Sequence, residues 1–114
     1  MSGADDFAEA EREAQDLAEA AARARQKAQE ARQAAQAAQR SAAESVAESA
    51  ASHDRTATSY EEAADRNERR RDEYQEHAAA HRQFAEEDRA MAQQLRRMAE
   101  DDSTAHPAPP SDDN

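Results

Sequence analysis

From Phe7 onward the apolar residues return in alternating steps of three and four: Phe7, Ala10, Ala14, Leu17, Ala21, Ala24, Ala28, Ala31, Ala35, Ala38 and Ala42. This alternation is the heptad pattern of a helix with one apolar seam, and polar residues fill the positions between. A second series steps by four and three through His53, Ala57, Tyr60, Ala64, Asn67, Arg71, Tyr74, Ala78, His81, Ala85, Asp88, Ala92, Leu95 and Ala99, with Phe84, Met91 and Met98 beside it. Counting by sevens from Phe7 reaches Ser49, Thr56, Ala63, Arg70, His77 and then Phe84, Met91 and Met98, while the other apolar column has moved by one residue. The pattern therefore predicts a seam that slips between about Val46 and Tyr60.

The interval 45–60 reads SVAESAASHDRTATSY and holds most of the serine and threonine of the chain. These residues favour caps and turns over helix interiors. Capping-box spacings recur there: Ser41 with Glu44, Ser45 with Glu48, Thr58 with Glu61 and Ser59 with Glu62. The expected organisation is an alanine-rich first helix over 1–50, a serine- and threonine-rich turn or kink at 51–59, a second helix over 60–100 and a disordered tail over 101–114. The fold class is all-α, two long helices folded back as an antiparallel hairpin or coiled coil. One continuous long helix, broken or kinked near the serines, is the alternative, because no glycine or proline forces a turn. The tail, DDSTAHPAPPSDDN, carries prolines that forbid helix continuation and no apolar side chain larger than alanine.

Composition changes this picture in one respect. Of the 37% of residues that are hydrophobic, 32 residues are alanine, and the chain has no tryptophan and no isoleucine. A buried alanine removes one methyl from water, worth about 0.8 kcal/mol, so an alanine seam lets helices approach closely but binds them weakly. Neither helix buries enough to stand alone, and self-association is expected. Alanine, glutamate, arginine and glutamine are all strong helix formers, which favours helix in a chain whose high charge would otherwise favour disorder.

The net charge is −11. It opposes binding to nucleic acid and to anionic membranes, both of which require a basic footprint. The charge is uneven: residues 1–22 carry −6 and residues 23–40 carry +4. An antiparallel or staggered helix of the same sequence would set one against the other, and the helix dipole favours the same distribution. There is no cysteine, hence no disulfide framework. The N-terminus lacks the basic and apolar regions of a signal peptide, and no apolar run reaches the length of a membrane span, so the cytoplasm is expected.

Few residues suggest chemistry. His77 and His81 lie four apart on one helical face, one turn after Glu73, a spacing at which two imidazoles can chelate a metal. The HExxH signature is absent, and the expectation is no metal site, no cofactor and no small-molecule substrate. No nucleophile–base pair or glycine-rich phosphate loop is present, so no catalytic residue is assigned and the chain is read as a non-enzyme. Arg66, Arg69, Arg70 and Arg71 are interleaved with Asp65, Glu68, Asp72 and Glu73, the composition of a salt-bridged solvated face. Asn67 and Arg71 fall on the apolar column, where polar residues set register or partner choice. The larger side chains Tyr60, Tyr74, Phe84, Met91, Leu95 and Met98 are the candidate partner-binding residues.

The stretch His53-Asp54-Arg55-Thr56-Ala57 through Tyr60-Glu61-Glu62-Ala63-Ala64-Asp65-Arg66, with His81-Arg82 and Glu87-Asp88-Arg89-Ala90, resembles short uncharacterised Ala/Arg/Glu-rich helical proteins of GC-rich bacteria. It covers roughly the second half of the chain, and fourteen arginines against the single Lys27 agree with such a coding bias. The resemblance implies helix and no activity. The function expected is that of a helical interaction protein that self-associates as a coiled coil and docks another helical protein. The alternative is a hydrophilic, partly disordered stress protectant.

Overall fold

The computed structural model describes residues 3 to 104, with side-chain surroundings for residues 3 to 101. Helix α1 spans Gly3–Arg66, a single 310 turn spans Glu68–Arg70, and helix α2 spans Arg71–Thr104. The chain divides into two compact units at Ala34 and Ala35.

The first unit is helical from Gly3 onward. Asp5 and Asp6 place negative charge in its first turn, where the helix dipole favours it. Every residue from 3 to 31 is exposed, including Phe7 at 66% and Leu17 at 72%.

The second unit is an antiparallel hairpin of residues 35–66 against α2. His53 meets His81, Tyr60 meets Tyr74 and Gln36 meets Ala99, so the pairing runs in opposite directions from the turn outward. Its core is made of alanine alone: Ala43, Ala50, Ala57 and Ala64 on α1, and Ala78, Ala85, Ala92 and Ala99 on α2, each seven residues from the next. A spacing of seven returns each methyl to one line on the helix surface, and a side chain of one carbon lets the two backbones close in. Two long side chains report that closeness by reaching main-chain carbonyls across the pair. Gln36 Nε2 donates to the carbonyl of Ala99 at 3.3 Å, and Arg71 Nε donates to that of Ala64 at 3.2 Å.

Three sequence expectations are corrected. The interval 51–59 is helical, and the chain reverses at Asn67. Within the helix the hydroxyl of Ser59 donates to the carbonyl of Arg55 at 3.1 Å, a bond made inside helical geometry and not as a cap. Ala50, Ala57 and Ala64 are buried only if helical register is kept through this stretch. Consequently α1 passes the predicted end at 50, and α2 starts at Arg71 instead of 60.

The reversal uses no glycine and, among the described residues, no positive φ. Asn67 adopts an extended conformation, φ −139° and ψ 95°, and its Oδ1 accepts from the Arg70 amide at 3.3 Å, capping the 310 turn. The Asn67 amide donates to the Ala64 carbonyl at 3.4 Å, and Arg71 Nε donates to the same oxygen, satisfying the end of α1. Asn67 and Arg71 thus fix the turn.

The second correction concerns the seam. It does not slip between Val46 and Tyr60: the half-buried and buried positions run Gln36, Gln39, Ala43, Val46, Ala50, His53, Ala57, Tyr60, Ala64 and Asn67 without a break. The frame of His53 to Ala99 therefore extends back through the serines, and Ala35 and Ala38, which belong to the Phe7 frame, are exposed. Third, Asp101 to Thr104 continue α2 instead of starting the tail, since no proline precedes Pro107. The rest of the predicted tail, 105–114, lies outside the described residues.

Two outcomes follow from this packing. Ala85→Leu, which forces three extra carbons into a closed alanine layer, lowers stability by about 1–3 kcal/mol, while the same change at exposed Ala80 leaves the thermal melt nearly unchanged. Equal melts for the two variants would contradict the alanine core. Asn67→Ala removes the cap and costs about 0.5–2 kcal/mol in the same melt.

Candidate interaction surface

A seam of two columns leaves two flanks on the hairpin. One flank is charged. Residues 54 and 61 on α1 face 82 and 89 on α2: Arg82 donates to Asp54 at 3.2 Å, to the Thr58 hydroxyl at 3.3 Å and to Glu61, and Arg89 pairs with Asp54. These groups are largely solvated, so their worth lies in pairing the two helices correctly more than in stability.

The other flank is apolar and aromatic. Phe84, Met91 and Met98 each stand one position before a core alanine of α2, which places them in one column, exposed at 46%, 53% and 44%. The matching positions of α1, Ala42, Ser49, Thr56 and Ala63, are small. In an antiparallel pair, like positions meet on the same side, so a row of large α2 side chains stands beside a row of small α1 ones. Half-buried Val46 and Leu95 lie between them in the seam.

Rings from both helices cluster here, with Tyr60 stacking on His77 and His81 and the Tyr60–Tyr74 and His53–Phe84 pairs tilted. Tyr60 lies 5.9 Å from Tyr74, 4.9 Å from His77 and 5.8 Å from His81, centroid to centroid, and His53 lies 5.3 Å from Phe84. His53 Nδ1 and His81 Nδ1 are 2.9 Å apart. One of these nitrogens donates and the other accepts. His53 Nε2 faces Asp88 Oδ2 at 3.9 Å, beyond hydrogen-bond distance, and that buried oxygen has no hydrogen-bond partner among the described residues. Near the turn, Arg70 donates to Glu73 at 2.9 Å and 3.1 Å and lies 4.8 Å over the Tyr74 ring. The hydrogen bond and charge of Arg70 lower the Glu73 carboxyl from its ordinary 4.5, and Glu73 raises Arg70 in turn. A lowered carboxyl supports the fold above pH 4.5 and loses that support as pH falls through its folded value.

The six candidate partner-binding residues therefore separate. Phe84, Met91 and Met98 form the exposed stripe, while Tyr60, Tyr74 and Leu95 are half-buried in the hairpin's own seam. His77 and His81, candidates for a shared metal, both stack on Tyr60 and take different polar neighbours: His77 lies 3.8 Å from Glu73, and His81 meets His53. No group of three metal-capable side chains is assembled among the described residues. His53 and Asp88 were missed as neighbours of His81, although all three stand in one column of the second series. The described residues show no recognisable catalytic arrangement, and no described helix is long and apolar enough to cross a membrane. The chain matches no family model, and neither curated proteins nor solved structures offer a match.

Asp88 yields a direct check. Asp88→Leu removes a buried oxygen that lacks a hydrogen-bond partner among the described residues and puts an apolar side chain in the seam column, so stability rises by about 1 kcal/mol and the melting temperature with it. A lower melting temperature would mean that the His53–Asp88 contact outweighs the desolvation of the carboxylate.

Proposed function

We propose that this chain is a non-catalytic helical interaction protein, which self-associates as a coiled coil and docks a second helical protein on the Phe84–Met91–Met98 stripe. The observation that carries the reading is that large apolar side chains stand exposed in one column beside small ones, on a hairpin whose other flank is occupied by its own ion pairs. A column of exposed phenylalanine and methionine beside a column of alanine, serine and threonine suits the apolar face of one helix. Methionine adapts to irregular partners at low cost, and covering a Met or Phe fully is worth about 1.5–3 kcal/mol. The acidic chain favours a partner with basic or mixed charge.

Light scattering and circular-dichroism melts of the full chain across concentration test the first half of this reading. The expected result is a mass above one chain at micromolar concentration and a melting temperature that rises with concentration. A monomer with no cooperative melt would refute it. For the stripe, Met91→Glu keeps the helicity of the hairpin, because Met91 lies outside the alanine core, yet loses a helical partner that the unaltered chain retains.

A further inference from the structure

The first unit also leaves an apolar face uncovered, and its flanking charges say what covers it. Phe7, Ala10, Ala14, Leu17, Ala21, Ala24, Ala28 and Ala31 share one helical face, and all are exposed. Alanine alone fixes neither direction nor register. One position before each residue of the Phe7 column stand Asp6, Glu13, Ala20 and Lys27, and one position after each residue of the Ala10 column stand Glu11, Ala18, Arg25 and Arg32. Both flanks are acidic in the N-terminal half and basic in the C-terminal half.

A parallel pair in register brings Asp6 against Glu11 of the second copy and Lys27 against Arg32, like charges at both ends. An antiparallel pair brings Glu13 against Lys27 of the second copy and Glu11 against Arg25, each contact occurring twice by symmetry. The same register sets Phe7 opposite Ala31, Ala10 opposite Ala28, Ala14 opposite Ala24 and Leu17 opposite Ala21. Every large side chain then meets an alanine, and two large ones never meet. Shifting by one heptad, to Phe7 opposite Ala38, moves Glu11 opposite Arg32, takes Glu13 away from Lys27 and draws in Ala35 and Ala38 of the second unit.

We propose that residues 3–34 pair antiparallel with the same residues of a second copy of this chain, in the register that sets Ala10 opposite Ala28, leaving the Phe84–Met91–Met98 stripe to a different protein. This rests on the self-association reading and names its surface.

The chain has no cysteine, so introduced ones report the register. Full-length Ala10→Cys and Ala28→Cys are oxidised separately and as an equimolar mixture. The expected result is a disulfide-linked dimer from the mixture and little from either variant alone. Linkage of Ala28→Cys to itself, with no dimer between Ala10→Cys and Ala28→Cys formed in the mixture, would mean a parallel pair and overturn the proposal. In parallel, Leu17→Glu and Met91→Glu are compared by light scattering. Leu17→Glu weakens the dimer by about tenfold or more with hairpin helicity retained, whereas Met91→Glu leaves it intact. The reverse result would overturn the proposal while leaving self-association standing, and an unaltered chain that is monomeric would overturn both.

Discussion

The hairpin depends on having alanine, and nothing larger, at every seventh position of two facing helices. Eight such residues close the contact, and their size brings Gln36 and Arg71 within reach of carbonyls on the opposing helix. The same residue that permits this approach is also the best helix former, so local preference and tertiary contact ask for one amino acid. Because each methyl contributes only about 0.8 kcal/mol on burial, the contact gains little from transfer out of water and relies on helices that already favour their form. Replacing any of the eight by a branched side chain therefore does more harm than its added apolar surface can offset.

An alanine repeat has a weakness of its own, since sliding one helix by seven residues lays alanine on alanine again. The other column lifts that degeneracy. A slide of one heptad separates Tyr60 from Tyr74, breaks the His53–His81 contact and parts Arg82 from Asp54. Polar and aromatic residues in a seam cost stability, and here they give a single register in return. Asp88, whose buried oxygen lacks a hydrogen-bond partner, shows the cost most plainly.

The same degeneracy explains what could be read from the sequence. The series from His53 to Ala99 described the observed seam on both sides of the turn, because tyrosine, histidine, aspartate and leucine mark its columns. Between residues 34 and 43 the Phe7 frame is filled by Ala35, Ala38 and Ala42 while the frame of the hairpin holds Gln36, Gln39 and Ala43, so the apolar pattern favoured the former. Val46 and His53 made the choice in three dimensions. The turn was hidden for a different reason: serine and threonine announced a break that the buried alanines overruled, while a single asparagine made one without glycine or proline. The exposed stripe was legible from side-chain size. Tyr60, Tyr74 and Leu95 stand in the seam series itself, which is why the hairpin half-buries them. The His53–His81 pair required knowing that the chain reverses at Asn67, since no spacing within one helix brings those rings together.

Helix α1 carries one more consequence of this economy. A helix of some thirty residues with no buried side chain gains nothing from packing, and its nucleus is the costly part of its formation. Because α1 runs unbroken to Arg66, residues toward Gly3 extend a helix that is already packed near the turn, and they are strong helix formers. An apolar face held in helical form before it meets a partner loses less entropy on binding than one that must fold first. For a seam made mostly of alanine, where the gain per residue is small, that saving is a larger share of any binding free energy. The charges flanking such a seam then matter beyond their individual strength, because the apolar contacts are too alike to distinguish one direction from the other.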